Sequence, residues 1–304
     1  MRTINLSLMA LVVLLLSTSR ESNQKQTELK PIAEHVVMIG LDGFGAYAYQ
    51  QAEMPNLKKL ASQGAWTLNS RTVLPSSSAV NWASMLMSSV PTLHGYTEWG
   101  SKEPEIPSAA LSQYGKFPSI YTQIREQKPE AKTGVIYSWG GIIYLLEKEI
   151  IDYVIPTQDN DDLTAEKAVE VITNHKPMFT FIHIDEPDGA GHNMGHDTPA
   201  YYEELKHVDQ LVGKIIDAVE KAGIADKTVI MVVSDHGGIE KGHGGKSLQE
   251  VAIPFFAKGP GIKVNHEIKD VVVDFDYGIT IAKILGIKPH QAWRGRVIED
   301  IFMK

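Results

Sequence analysis

The feature that most constrains this chain is an apolar run that leads into closely spaced metal-binding side chains. Residues 228–233 (TVIMVV) have the composition of a buried strand. Asp235 and His236 follow this run, and His243 lies in the glycine-rich segment beyond. Binding sites in open α/β sheets form at the carboxyl ends of the strands, and His with carboxylate suits zinc or a similar divalent ion. The pattern predicts a metal site at a strand end, with a simple polar turn as the alternative.

Two other strand-like runs end in the same way. Residues 35–41 lead into Asp42, and residues 178–184 lead into a segment where Asp188 and His192 are four positions apart. One helical turn or a compact loop can direct such a pair at one ion. The glycines around these residues let the backbone pass close to a metal or phosphate. For Asp42 taken alone, an ordinary helix N-cap is the alternative.

A candidate nucleophile precedes a predicted helix. Ser78 lies at the start of the helical pattern SAVNWASMLM, where free N–H groups and the helix dipole favour an anion. Its hydroxyl is either an N-cap or a nucleophile activated by a metal. Asn81 is three positions further along, and one helical turn would let its amide donate to the same bound anion, which the family resemblance given below implies is a phosphoryl group. Ser78 and Asn81 are therefore the predicted catalytic residues.

Taken together, these motifs resemble the alkaline phosphatase superfamily, and in particular its nucleotide pyrophosphatase/phosphodiesterase (type I phosphodiesterase) branch. The resemblance extends from about Val36 to Phe256. The matching motifs, in the family's order, are Asp42-Gly43, His94-Gly95, Glu-Pro-Asp-x-x-Gly-His-x-x-Gly at 186–195, Ser-Asp-His-Gly at 234–237, and His243.

The nucleophile motif departs from that branch. The Thr-Phe-Pro-Asn of the phosphodiesterases aligns with residues 78–81, where Ser replaces Thr and the Phe-Pro pair is absent. Ser followed by Ala is closer to the alkaline phosphatases proper. Phosphomonoesterase activity therefore remains an alternative to phosphodiesterase activity.

The resemblance implies two divalent metal sites and a covalent intermediate on Ser78. Two ions can clamp a transferring phosphoryl group, one at the nucleophile and one at the leaving oxygen. A His-rich site favours zinc, and a carboxylate-rich site is less selective. The implied activity is hydrolysis of phosphodiester or pyrophosphate bonds in a small phosphorylated substrate. One site would hold Asp188, His192 and His243, and the other Asp42, Ser78, Asp235 and His236.

Three other functions are possible for this fold. Sulfatases carry a Cys/Ser-x-Pro-x-Arg motif, and residues 78–82 contain neither the Pro nor the Arg. A non-catalytic binding module would be expected to lose metal ligands, yet all the expected positions are filled. A cofactor-independent phosphoglycerate mutase would need a large inserted domain, for which 304 residues leave no room.

Composition and the N-terminus indicate an exported metalloprotein. The net charge is −8, which provides no basic face for nucleic acid, and the absence of cysteine leaves the metals to His and Asp. Residues 1–20 predict a signal peptide, with a basic start, an apolar run at 8–16 and small residues at 17–19. The run is too short for a stable membrane span, although an uncleaved anchor is the alternative. Residues 21–33 read as a polar tether and 34–304 as one catalytic domain.

Alternating strand and helix patterns predict an α/β fold with a mostly parallel central sheet and helices on both faces. Residues 98–118 are polar and contain proline, and we expect a loop or cap over the site. Thr164 is the predicted N-cap of a helix over 164–174. The other predicted elements are strands at 132–137 and 252–257 and helices at 55–61, 201–222 and 276–285.

Several other residues could contribute to the site. We expect His183 in the core or behind the ligands, and His196 and Asp197 as partners of ligands or as surface residues. Three aromatic residues could stack on a base or simply pack: Trp82, Tyr96 and Trp99. Arg294 and Arg296 suggest a solvated face, with anion binding as the alternative.

Overall fold

The computed structural model describes residues 29–304, and within them the chain forms one eight-stranded sheet in the order β4-β3-β5-β1-β6-β7-β2-β8. The predicted signal peptide and residues 21–28 of the predicted tether lie outside the described residues. The strands are β1 (His35–Leu41), β2 (Ala65–Arg71), β3 (Thr133–Tyr137), β4 (Tyr153–Pro156), β5 (Phe179–Ile184), β6 (Thr228–Ser234), β7 (Ala252–Lys258) and β8 (His266–Glu267).

Strand pairing confirms the predicted mostly parallel sheet. β1 is the central strand and pairs in parallel with β5 on one side and β6 on the other. β3 continues the parallel order from β5 to β4. Only β7 runs the other way, because it pairs antiparallel with both β6 and β2. The carboxyl ends of β5, β1 and β6 therefore meet at one edge of the sheet.

Helices cover both faces of this sheet. They are α1 (Pro55–Ser62), α2 (Ser78–Met87), α3 (Pro91–His94), α4 (Ile120–Gln127), α5 (Asp161–His175), α6 (Asp188–Met194), α7 (Pro199–Lys221), α8 (Leu248–Val251) and α9 (Asp276–Leu285). Side chains of α2, α4 and α9 pack with Val36 and Met38 of β1, whereas α1, α5 and α7 pack with Val37 and Ile39. Because strand side chains alternate between faces, the continuous apolar run of β1 serves two cores.

The start of α5 differs from the prediction. The helix begins at Asp161, and the side chain of Asn160 caps it by accepting from Leu163 N at 2.9 Å. Thr164 lies inside the helix and its hydroxyl donates to Asn160 O at 3.0 Å. Asp161 and Asp162 favour the earlier start, because carboxylates in a first turn interact well with the helix dipole.

The segment between α3 and α4 has no helix or strand, as expected for the predicted loop. Its backbone is fixed to the end of α3, where Ala109 N donates to Leu93 O at 2.8 Å. It also reaches the start of α2, where Ala79 N donates to Trp99 O at 3.1 Å. This loop therefore lies directly beside Ser78.

The chain before β1 is attached to α9. Ile32 N and Ala33 N both donate to Ile284 O, at 2.7 and 3.1 Å. Among residues 29–304, no helix is long and apolar enough to cross a bilayer.

Candidate active site

The site forms where β5, β1 and β6 end side by side. Asp42 follows β1, Asp188 begins α6 after β5, and Asp235 follows β6. Gly43 lets the loops meet, because its φ is +69° and an added Cβ would lie 2.7 Å from Asp188 Oδ1. Carboxylates distant in sequence are thus brought to one point by parallel strand order.

Ser78 lies within this cluster, as the first residue of α2. Its Oγ is 3.4 Å from Asp42 Oδ1 and 3.2 Å from His236 Nε2. His236 Nε2 is in turn 3.3 Å from both Asp42 Oδ1 and Asp235 Oδ2. The four residues predicted for one metal site are therefore linked to one another through His236.

The residues predicted for the other metal site lie around Asp188. Its Oδ2 is 3.2 Å from His192 Nε2 and 3.9 Å from His243 Nε2. The ring of His243 stacks on that of His236, with centroids 3.8 Å apart, so the two groups are contiguous. All seven predicted ligands are thus brought to one place.

Among the described residues, three groups have ligand atoms that converge closely enough for one ion. They are Asp188 with His236 and His243, Asp42 with Asp235 and His236, and Asp42 with His183 and Asp185. The first two share His236, which lies between the predicted sites.

Backbone carbonyls set the histidine rings so that the same nitrogen faces the cluster in each case. The Nδ1 atoms of His236, His243 and His192 lie 2.9, 3.1 and 3.0 Å from Gly237 O, Ser76 O and Lys241 O, respectively. A carbonyl can only accept, so in the neutral ring Nδ1 carries the proton and Nε2 keeps its lone pair. This is the usual orientation of metal-binding histidine.

Two buried carboxylate oxygens show that the donor set suits a cation. Asp235 Oδ2 and Asp188 Oδ1 are buried and have no hydrogen-bond partner among residues 29–304. Burial, with the nearby charges of Asp42 and Asp188, raises the pKa of Asp235 well above its usual value. Buried charges normally require pairing or a metal, and Asp with His is a zinc-type donor set.

Asp42 is held from behind by two side chains. Its Oδ2 lies 3.0 Å from His183 Nε2 and accepts from Trp82 Nε1 at 3.1 Å. Burial opposes ionisation of Asp42, but the His183 hydrogen bond and the charge of His236 bring its pKa below the usual value. Oδ1 is therefore left to face Ser78. Trp82 is fully buried, so it serves Asp42 and is not available to stack on a substrate.

In the structure the side chain of Asn81 is hydrogen-bonded to the loop before Ser78, and its predicted contact with a phosphoryl oxygen stays a prediction. Its Nδ2 donates to Pro75 O at 3.1 Å and to Ser77 O at 2.9 Å, which uses both amide hydrogens. Its Oδ1 accepts from Val73 N at 2.9 Å and from the Thr72 hydroxyl. The sequence showed that Asn81 lies one helical turn from Ser78, but its side-chain amide points into the loop before α2. Asn81 braces that loop.

The sequence did not reveal Asp274, which helps Asn81 to hold the loop before α2. Asp274 is fully buried and accepts from Val73 N at 3.3 Å and Phe275 N at 2.7 Å. It sits in an irregular segment before α9, where no periodic pattern marks it. Asp185 was also missed, although its position directly after β5 was a usable signal. Burial, with the charge of Asp42, raises the pKa of Asp185 to about 7.

The remaining candidates are spread over different environments. Tyr96 is buried and packs in the core, whereas Trp99 is 66% exposed beside the start of α2. The backbone of Arg294 is fixed at the opposite end of α2, where Arg294 N donates to Ser88 O at 2.8 Å, whereas Arg296 N donates to Asp276 Oδ1 at the start of α9 at 2.7 Å. The ten residues of α2 span about 15 Å, so the anchoring point of Arg294 is remote from Ser78.

Comparison with known proteins agrees with this geometry. The sequence profile of the family described as type I phosphodiesterase / nucleotide pyrophosphatase matches residues 36–242. Ectonucleotide pyrophosphatase/phosphodiesterase family member 1 of Mus musculus is 23% identical over 279 residues, covering 85% of this chain and 30% of that protein. The bis(5'-adenosyl)-triphosphatase ENPP4 of Homo sapiens is 21% identical over 241 residues, covering 75% and 53%. The chain thus spans from about a third to about half the length of these two relatives.

Solved structures show the same fold. Murine ectonucleotide pyrophosphatase/phosphodiesterase 5, as an inactive variant in complex with AMP, aligns with a TM-score of 0.75 at 14% identity, covering 89% of this chain and 100% of that one. A 2-O GAG sulfatase aligns with a TM-score of 0.71 at 15% identity, covering 88% and 73%. At such identities the likeness concerns the fold alone. The family profile covers more than half of the sequence, and the chain therefore belongs to the type I phosphodiesterase/nucleotide pyrophosphatase family.

Proposed function

We propose that this chain hydrolyses phosphodiester or pyrophosphate bonds in small phosphorylated substrates, with Ser78 as the nucleophile. The observation that carries the proposal is the position of Ser78 Oγ, 3.4 Å from Asp42 Oδ1 and 3.2 Å from His236 Nε2 at the start of α2. The family match supports the reaction class, and the complex of a structural neighbour with AMP supports nucleotides as one substrate class.

Two divalent ions complete this proposal. Asp188, His192 and His243 would hold one, and Asp42, Ser78, Asp235 and His236 the other. Bound there, the ions would activate the hydroxyl and stabilise the leaving oxygen. We propose zinc for the His-rich site, because imidazole nitrogen suits zinc, and leave the other site to zinc or another divalent ion.

The proposed reaction has two steps, and Ser78 takes part in both. Asp42 and His236 orient the Ser78 hydroxyl. Attack of Oγ on phosphorus forms a phosphoserine ester and breaks the bond to the leaving oxygen, which takes up the hydroxyl proton. Water then cleaves the Oγ–P bond and restores the serine.

Local charge favours a diester over a monoester. The hydrogen bonds and ion pairs of Ser78, Asp42 and Asp235 within residues 29–304 include no Lys or Arg. Arg294 is anchored at the far end of α2, and Arg296 at the start of α9. A monoester dianion would therefore place its second charge without a basic partner. We expect kcat/KM for diesters to exceed that for monoesters by about 10-fold, which corresponds to about 1.4 kcal/mol.

One assay series tests the reaction class. Zinc-loaded protein is given a p-nitrophenyl ester of a nucleoside 5'-monophosphate, p-nitrophenyl phosphate and p-nitrophenyl sulfate, so that the leaving group is constant. We expect the order diester, monoester, sulfate. Equal or faster turnover of the monoester would assign the chain to the phosphatases, and sulfate as the best substrate would assign it to the sulfatases. The matched control is Ser78→Ala, which should be inactive on all three.

Metal content is tested separately. Protein purified without chelator should contain two divalent ions per chain, at least one of them zinc, by elemental analysis. A clean metal-free preparation with full activity would refute the metal centre.

We also propose export of the chain after removal of residues 1–20, leaving residues 21–33 as a tether and residues 34–304 as the catalytic domain. The basic start and apolar run of the N-terminus support this. N-terminal sequencing of the exported protein should give a start near residue 21, and an intact Met1 would favour the uncleaved anchor.

A further inference from the structure

The buried ring of His196 faces a metal-binding carboxylate without a hydrogen bond to it. The His196 side chain has 0% exposure, and its Nε2 is 3.8 Å from Asp188 Oδ1. Neither ring nitrogen of His196 has a hydrogen-bond partner among residues 29–304, and the same holds for Asp188 Oδ1. Buried polar atoms are almost always paired, so two unpaired atoms that face each other indicate a function.

The ring is held in place by a glycine cradle, formed by Gly191 and Gly238. A Cβ on Gly191 would lie 2.3 Å from His196 Cε1, and one on Gly238 would lie 2.2 Å from His196 Nε2. Gly191 directly precedes His192, and Gly238 lies two residues after His236. The imidazole is therefore fixed between the two segments that carry predicted metal ligands.

The two oxygens of Asp188 face different partners. Oδ2 is turned to His192 Nε2, at 3.2 Å, and to His243 Nε2, at 3.9 Å. Oδ1 is turned to His196, and Gly43 crowds its other side. None of the three converging ligand groups includes His196. His196 thus approaches Oδ1 of the carboxylate, whereas His192 and His243 approach Oδ2.

We propose that His196 is a positioning residue for the metal site at Asp188: its Nε2–H holds Oδ1, so that Oδ2 is presented to the ion. A shift of less than about 1 Å would bring Nε2 and Oδ1 to hydrogen-bond distance. Partners behind metal ligands fix the ligand's direction, and their loss typically costs about 10- to 100-fold in metal affinity. The inference rests on the proposed metal centre and extends its residue set.

Two variants of nearly equal size separate this role from simple packing. His196→Gln keeps an N–H donor at the position of Nε2, whereas His196→Met has similar length and no donor. Zinc affinity of both sites is measured by competition with a chromophoric chelator, and urea unfolding of the metal-free proteins is followed in parallel. We expect Met to weaken one of the two sites 10- to 100-fold, and Gln to stay within about threefold of wild type. The metal-free variants should unfold at similar urea concentrations.

Three outcomes would overturn the proposal. Equal loss of zinc affinity in both variants would make His196 a ligand or a packing residue. Wild-type zinc affinity in both variants would show that the Nε2–H donor of His196 has no role in metal binding. Wild-type protein that binds no zinc would refute the metal centre itself, and this result is distinguishable from the other two because it does not depend on the variants.

Discussion

Replacement of Asn81 distinguishes a structural brace from a substrate ligand. In the structure its side chain joins four atoms of the loop before the nucleophile: Val73 N, Thr72 Oγ1, Pro75 O and Ser77 O. Asn81→Ala removes all four hydrogen bonds and leaves their partners in a buried loop. At about 1 kcal/mol for each bond, the expected loss in the free energy of unfolding is about 4 kcal/mol. That is a large part of the 5–15 kcal/mol typical of a native protein.

Asn81→Asp gives a graded comparison. The carboxylate can still accept from Val73 N and Thr72 Oγ1, but it cannot donate to Pro75 O or Ser77 O. The loss of two donated bonds costs about 2 kcal/mol, to which repulsion from the two carbonyl oxygens adds. Urea unfolding of the metal-free proteins measures both variants. Ser77→Ala is the matched control, because Ser77 Oγ is buried without a partner in the described residues and its removal should cost less than about 1 kcal/mol.

Unchanged stability with a loss of activity would support the prediction from sequence that Asn81 contacts a phosphoryl oxygen. If Asn81 contacted a phosphoryl oxygen, Asn81→Ala would leave the free energy of unfolding within about 1 kcal/mol of wild type. It would instead lower kcat/KM by orders of magnitude at unchanged stability. That combination would refute the brace.

Further predictions concern the nucleophile, one close approach and one buried acid. Ser78→Ala should lower kcat by about three orders of magnitude or more and leave the free energy of unfolding unchanged, whereas Ser77→Ala should keep a kcat near that of wild type. An inactive Ser77→Ala variant would place the nucleophile one residue earlier. Gly43→Ala should weaken zinc binding and lower the free energy of unfolding by at least about 1–2 kcal/mol, because Gly43 has a φ of +69° and an added Cβ would meet Asp188 Oδ1. A zinc titration identical to that of wild type would contradict this. Burial raises the pKa of Glu147 although hydroxyl groups donate to its carboxylate, so ionisation of Glu147 destabilises the fold. The wild type should therefore lose stability relative to Glu147→Gln as pH rises from about 4 to 8. The reverse trend in urea midpoints would show that the hydroxyl donors outweigh burial.

The proposed metal ligands could be predicted from sequence because they follow buried strands. β1, β5 and β6 are almost wholly buried and mostly apolar, and each of Asp42, Asp188 and Asp235 comes shortly after one of them. Parallel strands bring their carboxyl ends to one edge, so linear order was enough to predict proximity. The weaker elements carried no such signal: β2 begins with two apolar residues and ends with three polar ones, and β8 has two residues.

The role of Asn81 could not be obtained in the same way. Spacing along a helix gives the direction of its side chain relative to Ser78, but not the path of the loop at 72–77. That path depends on Asp274, which reaches Val73 from the other end of the chain. Contacts of this kind leave no periodic trace in sequence, and the same holds for the glycine cradle around His196.

The contact between Trp99 and the start of α2 has a consequence for redesign. The proposed metal ligands come from the ends of β1 and β6, from the start of α2, and from α6 and the loop that follows β6, whereas residues 95–119 supply none of them and form an irregular stretch between α3 and α4. That stretch could be exchanged for another sequence to alter the surface beside Ser78, with the proposed metal ligands left in place. Besides the buried side chains of Tyr96 and Phe117, one contact must survive the graft: the carbonyl that accepts from Ala79 N. A transplanted loop without an acceptor there would release the residue next to Ser78, and selectivity and turnover would then change together.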